Sequence, residues 1–381
     1  MITYKYKLYR THRTKYLDKM LAEACFVWNH ALALQKRYYR LYGGYVSKND
    51  MSKHFTKRYT RKYLHVHAMQ DVIYRQDYGY KRYFNKVSSR PPKFKKPSCY
   101  TSITLSENHS KAYYWIDDCL IKNNVIYFKK INKSYKFFKS RDIEGRIKKL
   151  TIMRNKLGEY FMCVMIDIEL MKYGKSRNGA SVGIDFGLKT YLTLSDGTRY
   201  ENPQYMKESL TELRRRSRNL SKCKKGSNNR ERKRKELDRL WNDITNKRDD
   251  FQWKLAHDLC RKYDNIFIED LNLADMNLGR KANRKLKDQA HGEFVLKLQH
   301  IASKYGVVVH KIDRYYPSSK TCTCGYVNNE LKLTDRKWMC PNCGATHDRD
   351  LLAANNILRR GIYELESDSK TLKHSADRLS R

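Results

Sequence analysis

Asp185 ends the apolar run Val182-Gly183-Ile184 and sits between Gly183 and Gly187, Glu269 ends the run Ile266-Phe267-Ile268, and Asp350 opens the run Leu351-Leu352-Ala353-Ala354. Side chains at the carboxyl ends of strands in an α/β sheet meet along one edge, so these acids are expected to converge. Three converging carboxylates repel one another, and a divalent cation is the simplest relief. Mg²⁺ takes oxygen ligands and keeps part of its water, and two such ions about 3.5–4 Å apart can hold the attacking water and leaving oxygen of a phosphodiester in line. Singly, each acid has an ordinary reading: Asp185 as a turn former, Glu269 as a surface charge, Asp350 as a helix N-cap. The metal reading rests on the three occurring together.

A second constellation is Cys322-Thr323-Cys324 followed, after fifteen residues, by Cys340-Pro341-Asn342-Cys343-Gly344. The spacing fits a four-cysteine zinc ribbon, in which tetrahedral thiolate ligation supplies about 10–16 kcal/mol of folding energy to a segment too small for its own core. With Cys322, Cys324, Cys340 and Cys343 all bound, Zn²⁺ has no open position, and its role is structural. The first pair is one residue shorter than the usual two-residue gap, and His347 is near enough in sequence to replace Cys322 or Cys324. The other six cysteines are scattered singly, which suits a reducing compartment and no disulfide framework.

The elements that must position these groups are legible in outline. Tyr4, Tyr6 and Tyr9 alternate with Lys5, Lys7 and Arg10 as in a short strand, whereas Leu17, Met20, Leu21, Ala24, Trp28, Ala31 and Leu32 keep helical spacing. A second helical stretch, Asp50 to Asn85, ends before Pro91-Pro92, which cannot continue a helix. Residues 100–170 are β-rich, with short runs such as Ser102–Leu105, Val125–Phe128 and Tyr160–Ile166 suggesting a small barrel or a barrel half. After a polar linker at 174–180 the pattern becomes α/β: strands at 182–185, 191–194, 266–268 and 307–312, a long helix through Leu237, Leu240, Trp241, Ile244, Phe251, Leu255 and Leu259, and helices at 294–304 and 350–360. The last twenty residues are polar and are expected to be mobile.

The 381 residues carry 80 Lys+Arg against 40 Asp+Glu, a formal net charge of +40. Residues 1–97 hold 23 Lys/Arg and 5 Asp/Glu, and residues 211–240 hold 13 and 4. With 40% hydrophobic residues the chain can bury a core, so the charge marks a folded partner of a polyanion. Absence of any apolar run of about 18 residues argues against a membrane span, and the basic, aromatic-interleaved helices favour nucleic acid.

The motifs Gly183-Ile184-Asp185-Phe186-Gly187-Leu188-Lys189, Ile268-Glu269-Asp270-Leu271-Asn272, Ser318-Ser319-Lys320-Thr321-Cys322, Cys340-Pro341-Asn342-Cys343-Gly344 and Asp348-Arg349-Asp350 with Ala353-Ala354-Asn355-Asn356-Ile357 resemble, in order and spacing, the transposon-encoded TnpB family of RNA-guided DNA endonucleases, relatives of the type V CRISPR effectors. The resemblance is specific from residue 181 to 358 and compositional before that. It implies a multidomain α+β chain: a RuvC-like nuclease of the RNase H fold (181–321 and 348–360), split by a zinc ribbon (322–347). A wedge-like β-barrel (1–12 and 98–173) with an inserted helical recognition domain (13–97) precedes it, joined by the linker at 174–180, and a mobile tail (361–381) follows. Asp185, Glu269 and Asp350 look like the catalytic triad of that family, Asp185 bridging two Mg²⁺ ions and the other acids completing one shell each. Asp348 is the neighbour most easily confused with Asp350. The chain departs from the family in its Cys-x-Cys gap and in Leu352, where the family has Asn.

The resemblance further implies a guide RNA and a target DNA as partners in a prokaryotic cytoplasmic setting; no membrane is expected, and the oligomeric state stays open with a monomer favoured. Lys57, Arg58, Arg61, Lys62, Gln70, Arg75, Lys81, Arg82, Lys93, Lys95 and Lys96 are the candidate nucleic-acid contacts, from charge and position. Two other classes stay open at this stage: a guide-free DNA-processing enzyme of the same nuclease fold, such as a resolvase or transposase, and a non-catalytic guided repressor.

Overall fold

The computed structural model describes residues 2–106, 115–116, 119–143, 145–167, 178–270, 286, 288–332 and 335–379. The chain forms two compact units, Met1–Glu169 and Leu170–Arg381. The linker expected at 174–180 lies mostly outside the described residues, as do Leu271 and Asn272 of the second acid's motif.

In the first unit, strand β1 (Ile2–Lys7) leads into helix α1 (Thr14–Tyr42), whose predicted apolar positions are all buried. Burial of each such Leu or Met contributes about 1.5–3 kcal/mol relative to exposure. Gly43 ends α1 in the left-handed conformation, φ +65°, and its N–H closes on the Tyr39 carbonyl. The expected second helical stretch is two helices, α2 (Lys48–Arg58) and α3 (Val66–Phe84). No Pro or Gly forces that break. Buried Glu23 of α1 does: its carboxylate accepts the backbone N–H groups of Lys62, Tyr63 and Leu64 at 2.6–2.8 Å, taking donors that a continuous helix would have used.

The remaining strands are β2 (Ser102–Ser106), β3 (Trp115–Ile116), β4 (Cys119–Lys122), β5 (Val125–Phe128), β6 (Lys133–Lys136), β7 (Arg146–Arg154) and β8 (Tyr160–Asp167). The expected barrel is not closed among the described residues. The strands make two open antiparallel sheets, β1-β8-β7-β2 and β3-β4-β5-β6, joined by the single bridge Leu8–Phe137. In β8 the alternation Tyr160, Met162, Val164, Ile166 sends one face into the core that α1 and α3 cover. Helices close this core, so the sheet has no need to curl onto itself.

In the second unit, β9 (Ser181–Phe186), β10 (Thr190–Leu194) and β11 (Arg199–Glu201) form an antiparallel meander. Next come α4 (Tyr205–Glu208), α5 (Leu210–Ser221) and α6 (Asn228–Lys262), the last capped by the Ser227 hydroxyl on the Arg230 N–H. Strand β12 (Asn265–Glu269) pairs parallel with β9, α7 (His291–Tyr305) follows, and β13 (Val308–Ile312) pairs parallel with β12. The sheet order is β11-β10-β9-β12-β13. Hairpin β14 (Lys337–Met339) and β15 (Thr346–Asp348) runs directly into α8 (Arg349–Leu379).

Helix α8 continues past 361 to Leu379, so the segment expected as a tail is helical along the described residues. Leu365 packs against a cluster of Phe267, Ile312 and Ile357, and Glu364 bonds His310 Nε2 at 3.0 Å, contacts hidden behind the polar composition of this stretch. Two glycines let α8 lie close on the sheet. A methyl at Gly183 would stand 2.6 Å from the Leu358 nitrogen and collide with the Ala354 carbonyl, and one at Gly361 would enter the Phe267 ring. We therefore expect Gly183→Ala to cost about 1–3 kcal/mol in urea unfolding, by overpacking, with α8 displaced.

Candidate active site

Parallel pairing of β9 and β12 puts Ile184 beside Ile268, so Asp185 and Glu269 follow as neighbours at the same sheet edge. The Gly183 contact seats α8 on β9 through Ala354 and Leu358, and Asp350, about one turn before Ala354, has its charge felt at Asp185. All three acids keep part of their surface open. Burial first, then the charges of Glu269 and Asp350, push the Asp185 carboxyl well above the usual carboxylate range, against the pull of Arg349 and Arg336. Burial also raises Glu269, partly offset by the hydrogen bond that the Ser318 hydroxyl donates to it. Hard oxygen donors that repel one another in a partly desolvated edge fit a divalent cation by their chemistry.

Asp348 and Asp350 have separate tasks. Asp348 caps α8, accepting the Leu351 N–H at 3.1 Å, and pairs with Arg199 at 2.9 Å. Burial works upward on its carboxyl, but these bonds hold it below the ordinary value. Asp350 instead meets Arg336, whose Nη1 reaches both carboxylate oxygens at 3.0 and 3.2 Å. Arg336 precedes β14 and is one of 80 Lys/Arg, so no spacing marked it.

Ser318 and Asn356 lie in motifs quoted above, but the sequence assigned them no role. The buried Asn356 amide donates to the Ser318 and Thr321 carbonyls at 2.8 and 2.6 Å, fixing the turn from which Ser318 reaches Glu269.

The four ribbon cysteines converge, their sulfurs all within 4.8 Å of one another. Cys322–Cys343 and Cys324–Cys340 are 3.6 and 3.7 Å apart, against about 3.8 Å for the edge of a tetrahedron with 2.3 Å Zn–S bonds. The backbone N–H of Tyr326 and the Asn342 amide pull the Cys324 thiol down to about 6. The Ala345 N–H acts likewise on Cys343, but the neighbouring sulfurs outweigh it and raise that thiol to about 12. Four thiols in this space ionise together only around a cation, so the donor set fits zinc.

The short first gap is closed by a tighter turn. The Gly325 N–H bonds the Cys322 carbonyl three residues back, while Gly344 reaches four back to Cys340, and both glycines have positive φ. Leu352 packs with Cys322, Leu331, Trp338 and Cys340, so the residue that departs from the family pattern belongs to the ribbon core.

Residues 166–279 match a family model described as a probable transposase, and residues 291–357 match that of the Cas12f1-like TNB domain. A putative RNA-guided DNA endonuclease of Streptomyces pristinaespiralis is 36% identical over 214 residues, 56% of this chain and 52% of the relative. The chain thus spans about half the length of that relative. Putative RNA-guided DNA endonuclease InsQ of Escherichia coli K12 is 26% identical over 365 residues, 90% of this chain and 88% of InsQ. The chain is thus similar to RNA-guided DNA endonucleases of the TnpB type, most strongly in its second unit. A solved Cas12f1–sgRNA–target DNA complex shares its fold, with a TM-score of 0.59 at 16% identity over 91% of this chain and 83% of that one. It is a mixed α/β fold with a four-cysteine cluster that fits a zinc ribbon.

The nucleic-acid candidates all fall in the first unit. Lys57, Arg58, Lys62, Lys81, Arg82, Lys93, Lys95 and Lys96 are exposed, and Arg61, Gln70 and Arg75 are half-buried. Arg75 is engaged internally, bonding the Ser102 carbonyl at 3.1 Å and Asp71 at 2.5 Å. The Lys95 ammonium lies 3.8 Å from the centre of the Trp28 ring. These two are occupied in holding the unit together. Among the described residues, no helix is long and apolar enough to cross a membrane.

Proposed function

We propose that the chain is an RNA-guided DNA endonuclease, with Asp185, Glu269 and Asp350 as its catalytic acids. The carrying observation is the convergence of these acids, strong enough that two of them raise the pKa of the third. The strand order, with β9, β12 and β13 parallel and β10 and β11 antiparallel, supports the RuvC-like reading of an RNase H fold. The three carboxylates would hold Mg²⁺, which supplies charge stabilisation and an activated water for phosphodiester hydrolysis. Arg336 balances the acids and keeps their edge from excess negative charge until the cation is bound. The names of the relatives support guide RNA and DNA as partners. Pairing between guide and target would carry most of the sequence specificity, the protein reading only a short adjacent duplex motif.

The exposed Lys57, Arg58, Lys62, Lys81, Arg82, Lys93 and Lys96 would neutralise phosphates, giving affinity that falls steeply with salt. Cys322, Cys324, Cys340 and Cys343 would hold one structural Zn²⁺, in a reducing prokaryotic cytoplasm. The test is to purify the protein, sequence the RNA that accompanies it, and assay DNA matching the programmable end. Cleavage of matched DNA in Mg²⁺, absent with EDTA or mismatched DNA, is expected. Cleavage without any RNA would instead favour a guide-free enzyme, and guided binding without cleavage a repressor.

A further inference from the structure

His347 stands outside the four-sulfur set and outside the acid cluster. It lies on β15 opposite Trp338 of β14, the rings 5.0 Å apart and inclined by 50°, and its Nε2 is 3.0 Å from the Cys322 sulfur. Cys322 is buried in the ribbon core and His347 is half-buried at its border. Four thiolates around one divalent cation leave two surplus negative charges in a small volume, in which Cys322 and Cys340 are buried. N–H donors to the sulfurs spread that charge, and such outer bonds tune metal affinity. The ribbon supplies several: the Cys324 N–H to Cys322, the Tyr326 N–H and Asn342 amide to Cys324, and the Ala345 N–H to Cys343. His347 is the one ring donor on this set among the described residues.

We propose that His347 donates its Nε2–H to the Cys322 thiolate and thereby raises the affinity of the ribbon for its metal, without replacing a sulfur ligand. The inference rests on reading the four cysteines as a zinc site. The four sulfurs already lie within 4.8 Å of one another, and Nε2 stands at hydrogen-bond distance from one of them. The bond also reaches towards the acids. Asp348, next in sequence, caps α8, and Asp350 lies two residues beyond it. The strand that bonds the sulfur is therefore the strand that delivers Asp350.

The experiment uses the full chain, Zn²⁺ titrated against a chelating dye, and the absorption spectrum of the Co²⁺-substituted protein. His347→Phe keeps a ring on Trp338 and removes the donor. It is expected to weaken Zn²⁺ binding about 10–100-fold while the Co²⁺ spectrum stays that of four thiolates. His347→Gln, whose Nε2 can donate, is expected to recover most of the loss. Unchanged affinity in His347→Phe, no recovery in His347→Gln, or a nitrogen ligand in the parent Co²⁺ spectrum that His347→Phe removes would each overturn the proposal. Cys340→Ala separates the two readings. If it too leaves Zn²⁺ binding intact, the zinc site itself is wrong; if it abolishes binding while His347→Phe changes nothing, only the role of His347 falls.

Discussion

Asp185→Asn is expected to lower guided cleavage by about 10³-fold or more and, in EDTA, to raise the melting temperature of the protein. The first effect follows from removing a charged oxygen from the set that would hold the cation and stabilise the charge developing at phosphate. The second follows from linkage. Burial and two neighbouring acids make Asp185 hold its proton more tightly in the folded chain than in the unfolded one. Its contribution to stability is therefore intact below the ordinary carboxylate range and is lost as pH rises from there through the raised folded value. At neutral pH without metal the carboxylate works against the fold, and Asn relieves it. A gain of about 1 kcal/mol corresponds to about 2–4 °C for a unit of this size. The same shifts give cleavage by the parent an upward slope with pH, as Asp185 and Glu269 release protons and admit the cation. Thermal melts with EDTA and with Mg²⁺, beside a cleavage time course, read all three. A variant that cleaves like the parent would remove Asp185 from the mechanism.

The sequence marked the candidate residues more readily than how they are held. Asp185, Glu269 and Asp350 were legible because each ends or begins a run of clear period, and Cys322, Cys324, Cys340 and Cys343 because metal spacing is local. Gly183 was read only as a neighbour of Asp185; its cause lies 171 positions away, in the Ala354 carbonyl that a methyl would strike. Arg336, Ser318 and Asn356 escaped for the same reason, since each acts through a partner far along the chain. Long-range contact also explains the misread elements. Glu23 of α1 divides the expected second helix, and Leu365 and Glu364 hold α8 beyond the point where composition suggested a tail. The expected barrel was inferred from strand count and turn residues, which fix neither the closure of a sheet nor the helices that cover it. Among the eleven cationic and polar candidates, position alone could not separate Arg75 and Lys95, turned to internal partners, from residues exposed on the same unit.

Removing the ribbon metal, by Cys340→Ala or by a strong chelator, is expected to lower cleavage at least about 100-fold without disturbing the first unit. Among the described residues, the ribbon core has only Cys322, Leu331, Trp338, Cys340 and Leu352 as its buried cluster, far too little apolar surface to replace the folding energy of a structural zinc. Its loss should be felt where the ribbon touches the acids. Ser318, which bonds Glu269, precedes Cys322 by four residues, and Arg336, which bonds Asp350, precedes Cys340 by four. Asp348, which caps the helix carrying Asp350, follows Cys343 by five. A displacement of about 1 Å in such groups is enough for a 100-fold loss of rate. Hydrogen exchange should therefore show lost protection across the described residues from 318 to 350, and unchanged protection in α1, α3 and β8. Full guided cleavage by a metal-stripped protein would mean that β9, β12 and α8 hold the acids unaided, leaving the ribbon to act on nucleic acid alone. The Gly183 contact makes that the serious alternative, because it fixes α8 on the sheet without any help from the cysteines. The two cases differ in one observable: in the first, Mg²⁺ affinity falls when the ribbon metal is removed; in the second, Mg²⁺ affinity is kept and only DNA binding changes.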